Sequence, residues 1–326
     1  MPFADLTHPA LSTYRSAVET PGDFADFWDR TLAEARALAT GITLTPVAGG
    51  LAVAGSLVTA YDVSFPGFGG HPVKGWLVIP ARRDGPLPLV VQYVGYGGGR
   101  GFAHEGLHWA AAGYASFRMD TRGQGGLWNR GDTADPVGSD ASVPGFMTRG
   151  ILDPDSYYYR RLFTDAVRAI DALAALDLID PARIATTGAS QGGGIALAAA
   201  GLDARVTAVM PDVPYLCDFP RAVRVATRDP YLEILRYLGI HRDQTAQVFD
   251  TLRYFDGVCM ARQTRAPALF SVALMDTICP PSTVYAAFNA YAGADKAIHD
   301  YEFNDHEGGG PHHVALQLDW LSQRFL

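Results

Sequence analysis

The chain predicts an α/β fold with a mainly parallel sheet covered on both faces by helices. Two observations carry this. From residue 87 onward, short apolar runs alternate with helical patterns. The first of those runs, "LPLVVQYVGY", is short and apolar and ends in glycines, as a buried parallel strand would. A third observation bears on chemistry: "TTGASQGGGIAL", residues 186 to 197, sets one serine among glycines between an apolar run and an alanine-rich one.

The elements follow in order. "DFADFWDRTLAEARAL" places Phe24, Phe27, Trp28 and Leu32 on one helical face, with Asp23 as N-cap, within an N-terminal helical extension of about 1–40. "SLVTAYDVSF" and "VKGWLVIPA", joined by the turn "PGFGGHP", predict antiparallel strands that open the sheet. Further strands then read as "LPLVVQYVGY", "YASFRMD", "RIATTG", "VTAVMPDVP", "APALFSVALMD" and "AIHDYEF". Between the second and third lies a helix, "TDAVRAIDALAAL", with Val167, Ile170 and Leu173 facing inward. The aromatic and charged stretch of about 217–262 interrupts the alternation and predicts a helical cap over the strand ends. The 326 residues are thus expected to form a single domain, 1–326.

A net charge of −8 without any long basic run argues against nucleic-acid binding, which needs a concentrated cationic face. No run of about 20 apolar residues is present to span a bilayer, and residues 1–24 do not read as a signal peptide, so the expected location is cytoplasmic, with no membrane partner. Cys217, Cys259 and Cys279 are odd in number and lack CxxC spacing, which predicts buried reduced thiols.

Gly188-Ala189-Ser190-Gln191-Gly192 is a G-x-S-x-G pattern between a predicted strand and a predicted helix, the setting of a nucleophile elbow. Serine needs a base. His306, in the glycine-rich loop "NDHEGGGPHH" after a strand, is best placed; His299 lies within that strand, and His312 and His313 open the last helix. The orienting acid is expected at a strand end between serine and histidine in sequence. Asp276 fits, Asp212 competes, and Asp305 would have to fold back sharply. An oxyanion needs donors. One is the backbone N–H of Gln191; Tyr96, at the start of "GYGGGRG", offers either its hydroxyl or its backbone.

Two other patterns compete. "HEGLH", residues 104 to 108, matches the H-E-x-x-H zinc pattern through His104 and His108, but Gly106 weakens the helix this requires. Neither glycine run satisfies G-x-G-x-x-G, and no Walker lysine follows. No metal or organic cofactor is therefore expected. A non-catalytic binding protein on this fold would typically lack one member of the serine–acid–histidine set, and all three are present here.

Taken together, "VQYVGYGGGRG", "MDTRGQGG", "GFMTRGILD", "YYYRRLFTDAVRA", "GASQGGGIAL", "LMDTICPPSTVYAAFN" and "NDHEGGG" resemble the acetyl xylan esterase and cephalosporin C deacetylase family, carbohydrate esterase family seven, over nearly the whole chain. The resemblance implies an α/β-hydrolase fold and a serine carboxylesterase acting on small acetylated sugars or cephalosporins. It implies Ser190 as nucleophile, Asp276 as acid and His306 as base, with Tyr96 and Gln191 forming the oxyanion hole. Arg122, Gly123 and Gln124 match an Arg-Gly-Gln motif and Glu307 completes a His-Glu motif, with Arg122 and Glu307 expected to hold active-site loops by hydrogen bonds. Gly97 stands where the family often has asparagine. Assembly as a homo-hexamer around an internal cavity is a further implication.

Overall fold

A computed structural model of the chain describes residues 5–38, 41–47, 57–137 and 144–326. Its strands are β1 (Thr43–Pro46), β2 (Val58–Pro66), β3 (Pro72–Pro80), β4 (Leu87–Tyr93), β5 (Ala115–Met119), β6 (Ile179–Ala189), β7 (Val206–Asp212), β8 (Ala268–Ala273) and β9 (Lys296–Tyr301). They form one sheet in the order β1-β2-β3-β5-β4-β6-β7-β8-β9. The first three strands and the β3–β5 pair are antiparallel; every later pairing is parallel. The sequence did not predict β1: it is a four-residue, largely exposed edge strand, too short for a periodic signal.

The helices are α1 (His8–Thr13), α2 (Phe24–Leu38), α3 (His108–Ala111), α4 (Tyr158–Ala174), α5 (Gln191–Leu202), α6 (Phe219–Val225), α7 (Tyr231–Ile240), α8 (Thr245–Leu252), α9 (Gly257–Ala261), α10 (Pro281–Ala290) and α11 (Gly310–Phe325). Successive strand residues point to opposite faces. Leu89, Val91, Ile184, Val209 and Phe270 pack into the larger core with α2, α4, α5 and α10, while Val90, Ala185, Ala208, Met210 and Leu269 meet α3 and α11 on the other face. The continuous apolar runs follow from this two-sided burial. Helices α6 to α9 lie between β7 and β8, in the stretch expected to cap the strand ends.

On α2, Phe24, Phe27, Trp28 and Leu32 are buried, joined by Thr31 and Ala35. Trp28 stacks on Phe163 of α4 at 6.0 Å, and its indole N–H donates to the Tyr254 carbonyl at 3.1 Å. Burial of each such side chain contributes about 1.5–3 kcal/mol. Asp23 stands directly before α2 and its carbonyl accepts the Phe27 N–H at 2.9 Å, while its carboxylate accepts from the Tyr254 hydroxyl at 2.6 Å, tying the helix entry to the segment after α8.

Candidate active site

The elbow is built by close approach. β6 ends at Ala189 and α5 begins at Gln191, leaving Ser190 between them at φ 59°, ψ −122°. A non-glycine residue there is strained, and the surrounding hydrogen bonds hold it. The Ser190 N–H donates to the Asp212 carbonyl at 2.9 Å, and its own carbonyl accepts from Tyr215 N–H at 2.9 Å and Gly194 N–H at 3.1 Å. A Cβ on Gly192 would lie 2.2 Å from the Tyr93 carbonyl oxygen, and one on Gly188 would lie 2.6 Å from the same atom. Both outer glycines of the motif are therefore required by β4 running alongside the turn. The start of α5 points its partial positive charge toward the serine.

Asp276 lies three residues beyond the end of β8 rather than closing it. Its side chain is fully buried. One carboxylate oxygen accepts N–H groups from Ile278 at 2.8 Å and Cys279 at 2.9 Å, which leaves the other to meet His306 Nδ1 at 2.8 Å. That contact places the imidazole proton on Nδ1 and leaves Nε2 as the basic nitrogen. His306 is a quarter exposed, on a loop whose neighbour Asp305 pairs with Arg228 of the α6–α7 connection at 3.3 Å. The competing acid, Asp212, is engaged elsewhere: its side chain accepts from Gln317 at 2.9 Å and lies 3.0 Å from His313 Nε2. His313, in the first turn of α11, is buried, whereas His299 and His312 are exposed.

The loop after β4 is wired to Gln191 through the Arg-Gly-Gln segment. Gln124, fully buried, accepts the Gly97 N–H at 2.7 Å and donates to the Gln191 side-chain oxygen at 2.9 Å and to the Tyr158 hydroxyl at 3.1 Å. The Gln191 side chain also donates to the Val94 carbonyl at 3.1 Å. Among the described residues, neither Tyr96 nor Gln191 donates its backbone N–H to a protein acceptor. The Tyr96 hydroxyl is committed: it donates to Glu233 at 2.7 Å and accepts from Gly145 and Phe146 N–H at 3.1 and 2.9 Å. Of the two possibilities the sequence left for Tyr96, only its backbone N–H is unengaged. Arg122, with no solvent exposure, makes a bidentate pair with Asp165 of α4 at 2.5 and 2.7 Å, and Gly123 donates its N–H to the Thr133 carbonyl at 2.8 Å. Glu307 is exposed and its carboxylate accepts from Asn304 of its own loop at 2.7 Å and from backbone N–H groups beside it, so the bracing seen is local.

Ser190 and His306 line one cavity of about 900 Å³, together with Tyr96, Trp128, Pro230 and Ile278. No direct hydrogen bond joins the two. Catalytic hydrogen bonds commonly tighten only with substrate in place. Asp276, Cys279 and His306 are also the only group of potential metal ligands within sharing distance among the described residues, their ligand atoms lying within 4.8 Å of one another. The acid and imidazole there bind each other, and burial pushes the Cys279 thiol well up, disfavouring the thiolate a metal would need. The H-E-x-x-H stretch is not a helix: His104 sits in a turn, Gly106 has φ +69° and α3 begins only at His108. Glu105 instead binds Arg118 at 3.1 Å and Asn129 at 3.0 Å.

Sequence reasoning missed Trp128, Glu233 and Cys279. Trp128 is exposed at the cavity mouth, packs on Gly98 and donates to the Tyr96 carbonyl at 2.8 Å. Trp128 and Glu233 belong to none of the quoted motifs, and Cys279, inside "LMDTICPPSTVYAAFN", was read only as a buried thiol; the folded chain brings all three to the site.

Among solved structures, an acetyl xylan esterase from Paenibacillus sp. R4 is similar with 38% identity and a TM-score of 0.89, covering 98% of this chain and 100% of that one. Acetyl xylan esterase 1 from Thermoanaerobacterium sp. JW/SL YS485 has 30% identity and a TM-score of 0.87, covering 98% and 99% of the two chains. The acetyl esterase Axe7A of Xylanibacter ruminicola is 28% identical over 284 residues, 86% of this chain; the match spans 62% of that relative's length. An acylaminoacyl peptidase from Pyrococcus horikoshii, 16% identical with a TM-score of 0.60 over 90% of this chain and 43% of its own, shares the α/β-hydrolase fold alone. No helix among the described residues is long and apolar enough to cross a membrane. With a family model matching residues 1–324, the chain belongs to the acetyl xylan esterase (AXE1) family.

Proposed function

We propose that this protein is a serine esterase that removes acetyl groups from small acetylated carbohydrates. The observation that carries the reading is the Asp276–His306 hydrogen bond of 2.8 Å, on a cavity whose wall also holds Ser190 in its strained elbow. Ser190 Oγ attacks the acetyl carbonyl carbon as His306 Nε2 takes its proton, and Asp276 stabilises the imidazolium. The carbonyl oxygen becomes an oxyanion held by the backbone N–H groups of Tyr96 and Gln191. Collapse breaks the ester C–O bond, and His306 returns the proton to the departing sugar alcohol. Water, deprotonated by His306, then attacks the acetyl-serine carbonyl; the Oγ–acyl bond breaks as His306 returns that proton to Ser190 Oγ, and acetate leaves. Ile278, on the cavity wall two residues from the acid, favours a short acyl group.

Acetylated xylo-oligosaccharides are the substrates this family placement supports most directly. Turnover of cephalosporin C, cytoplasmic location and assembly as a hexamer are further parts of the proposal that rest on the sequence resemblance and composition. The decisive experiment is Ser190→Ala assayed on p-nitrophenyl acetate. We expect kcat to fall by roughly 10⁴- to 10⁶-fold with the circular dichroism spectrum unchanged. Near-normal turnover would reject the mechanism.

A further inference from the structure

We infer that Glu233, from the cap, is a positioning residue for the oxyanion hole, acting through the Tyr96 ring. The inference rests on the proposed role of the Tyr96 backbone N–H. Glu233 lies in the first turn of α7, far in sequence from the loop it braces. Its Oε1 accepts the Tyr96 hydroxyl at 2.7 Å and its Oε2 accepts the Met147 N–H at 3.1 Å. The Tyr96 oxygen in turn accepts the N–H groups of Gly145 and Phe146. Three segments thus meet at one carboxylate: the loop after β4, the 145–147 turn and the cap.

Donor and acceptor chemistry makes this carboxylate hard to replace. Both of its oxygens face donors, since burial pushes the Tyr96 phenol well up and the hydroxyl keeps its proton. A glutamine can offer only one acceptor oxygen, so its NH₂ would confront either the Met147 N–H or the tyrosine. Tyr96 is also held through its main chain, by Trp128 on its carbonyl and by Gln124 on the next N–H, and through its ring, edge-on to Phe146 and Tyr215. With the Glu233 contact disturbed, the ring end keeps only the Gly145 and Phe146 N–H groups and its aromatic packing, and the aim of the peptide carrying the Tyr96 N–H loosens. An oxyanion donor acts by being aimed in advance, so a tilt of this peptide is felt in the transition state and hardly at all in substrate binding.

The test is Glu233→Gln, assayed on p-nitrophenyl acetate beside Ser190→Ala and Tyr96→Phe. Glu233→Gln should lower kcat about 10- to 100-fold with KM within about twofold, a fraction of the loss seen when an oxyanion donor is removed outright. Affinity for a trifluoromethyl ketone that forms an oxyanion adduct should weaken by a similar factor. In the Tyr96→Phe background, Glu233→Gln should add less than about threefold, because the two act as one unit. An unchanged kcat, a loss confined to KM, or a full multiplicative loss in the Tyr96→Phe background would overturn the inference. Should Glu233→Gln fold poorly, Tyr96→Phe alone carries the same test through its kcat and KM. Full activity in Ser190→Ala would sink the esterase mechanism instead, whatever Glu233 does.

Discussion

The segments 122–124 and 306–307 both came from short motifs, yet the fold treats them in opposite ways. Arg122 and Gln124 have no exposed surface and reach across to α4, Gln191 and the loop after β4. His306 is a quarter exposed, and Glu307 bonds only within its own loop. On the proposed mechanism, the half of the site that stabilises charge is therefore built into the core, and the half that carries the proton rides on a surface loop steered by one buried carboxylate. Preorganised dipoles need rigidity, whereas a base that exchanges protons with substrate and water needs access.

Three substitutions can break or sharpen this contrast. The largest effect is expected at the steering carboxylate. Asp276→Asn should cost about 10⁴-fold in kcat, because the amide favours the wrong imidazole tautomer, while the thermal midpoint moves little. Steady-state kinetics paired with calorimetry would show both, and a normal kcat would mean the loop needs no steering. Next comes Arg122→Met, which strands the Asp165 carboxylate in the core and should destabilise the fold by about 3–5 kcal/mol in urea unfolding. A loss below about 1 kcal/mol would show that the buried half is not held as described. Smallest is Glu307→Gln: its partner Asn304 is retained and the site is exposed, so stability should change by no more than about 0.5 kcal/mol. A large drop would place Glu307 on the buried side of the comparison.

Much of this was legible in the sequence because it depends on local chemistry. Apolar runs bounded by turn residues located β4 to β9, and the G-x-S-x-G pattern located the elbow, whose glycines are explained by the Tyr93 carbonyl. The region before β2 was harder to read. Thr43–Pro46 has no apolar alternation and pairs only at an edge, and the carboxylate of Asp23 found its partner more than 200 residues away. At the site, residue types pointed to Ser190, Asp276 and His306, but Tyr96 stayed ambiguous between hydroxyl and main chain. That choice depends on Glu233, 137 positions away, and no local pattern encodes it. The commitment of Asp212 to Gln317 likewise depends on α11 packing beside β7.

Two contacts to the site come from residues five apart around the start of α7: Arg228, in the α6–α7 connection, reaches Asp305 beside the proposed base, and Glu233, in the first turn of α7, reaches Tyr96. Anyone engineering a roomier enzyme by transplanting a foreign lid would exchange both struts in a single stroke. Widening the entrance without sacrificing turnover would mean retaining that arginine and that glutamate in register, and redesigning only the helices that follow them.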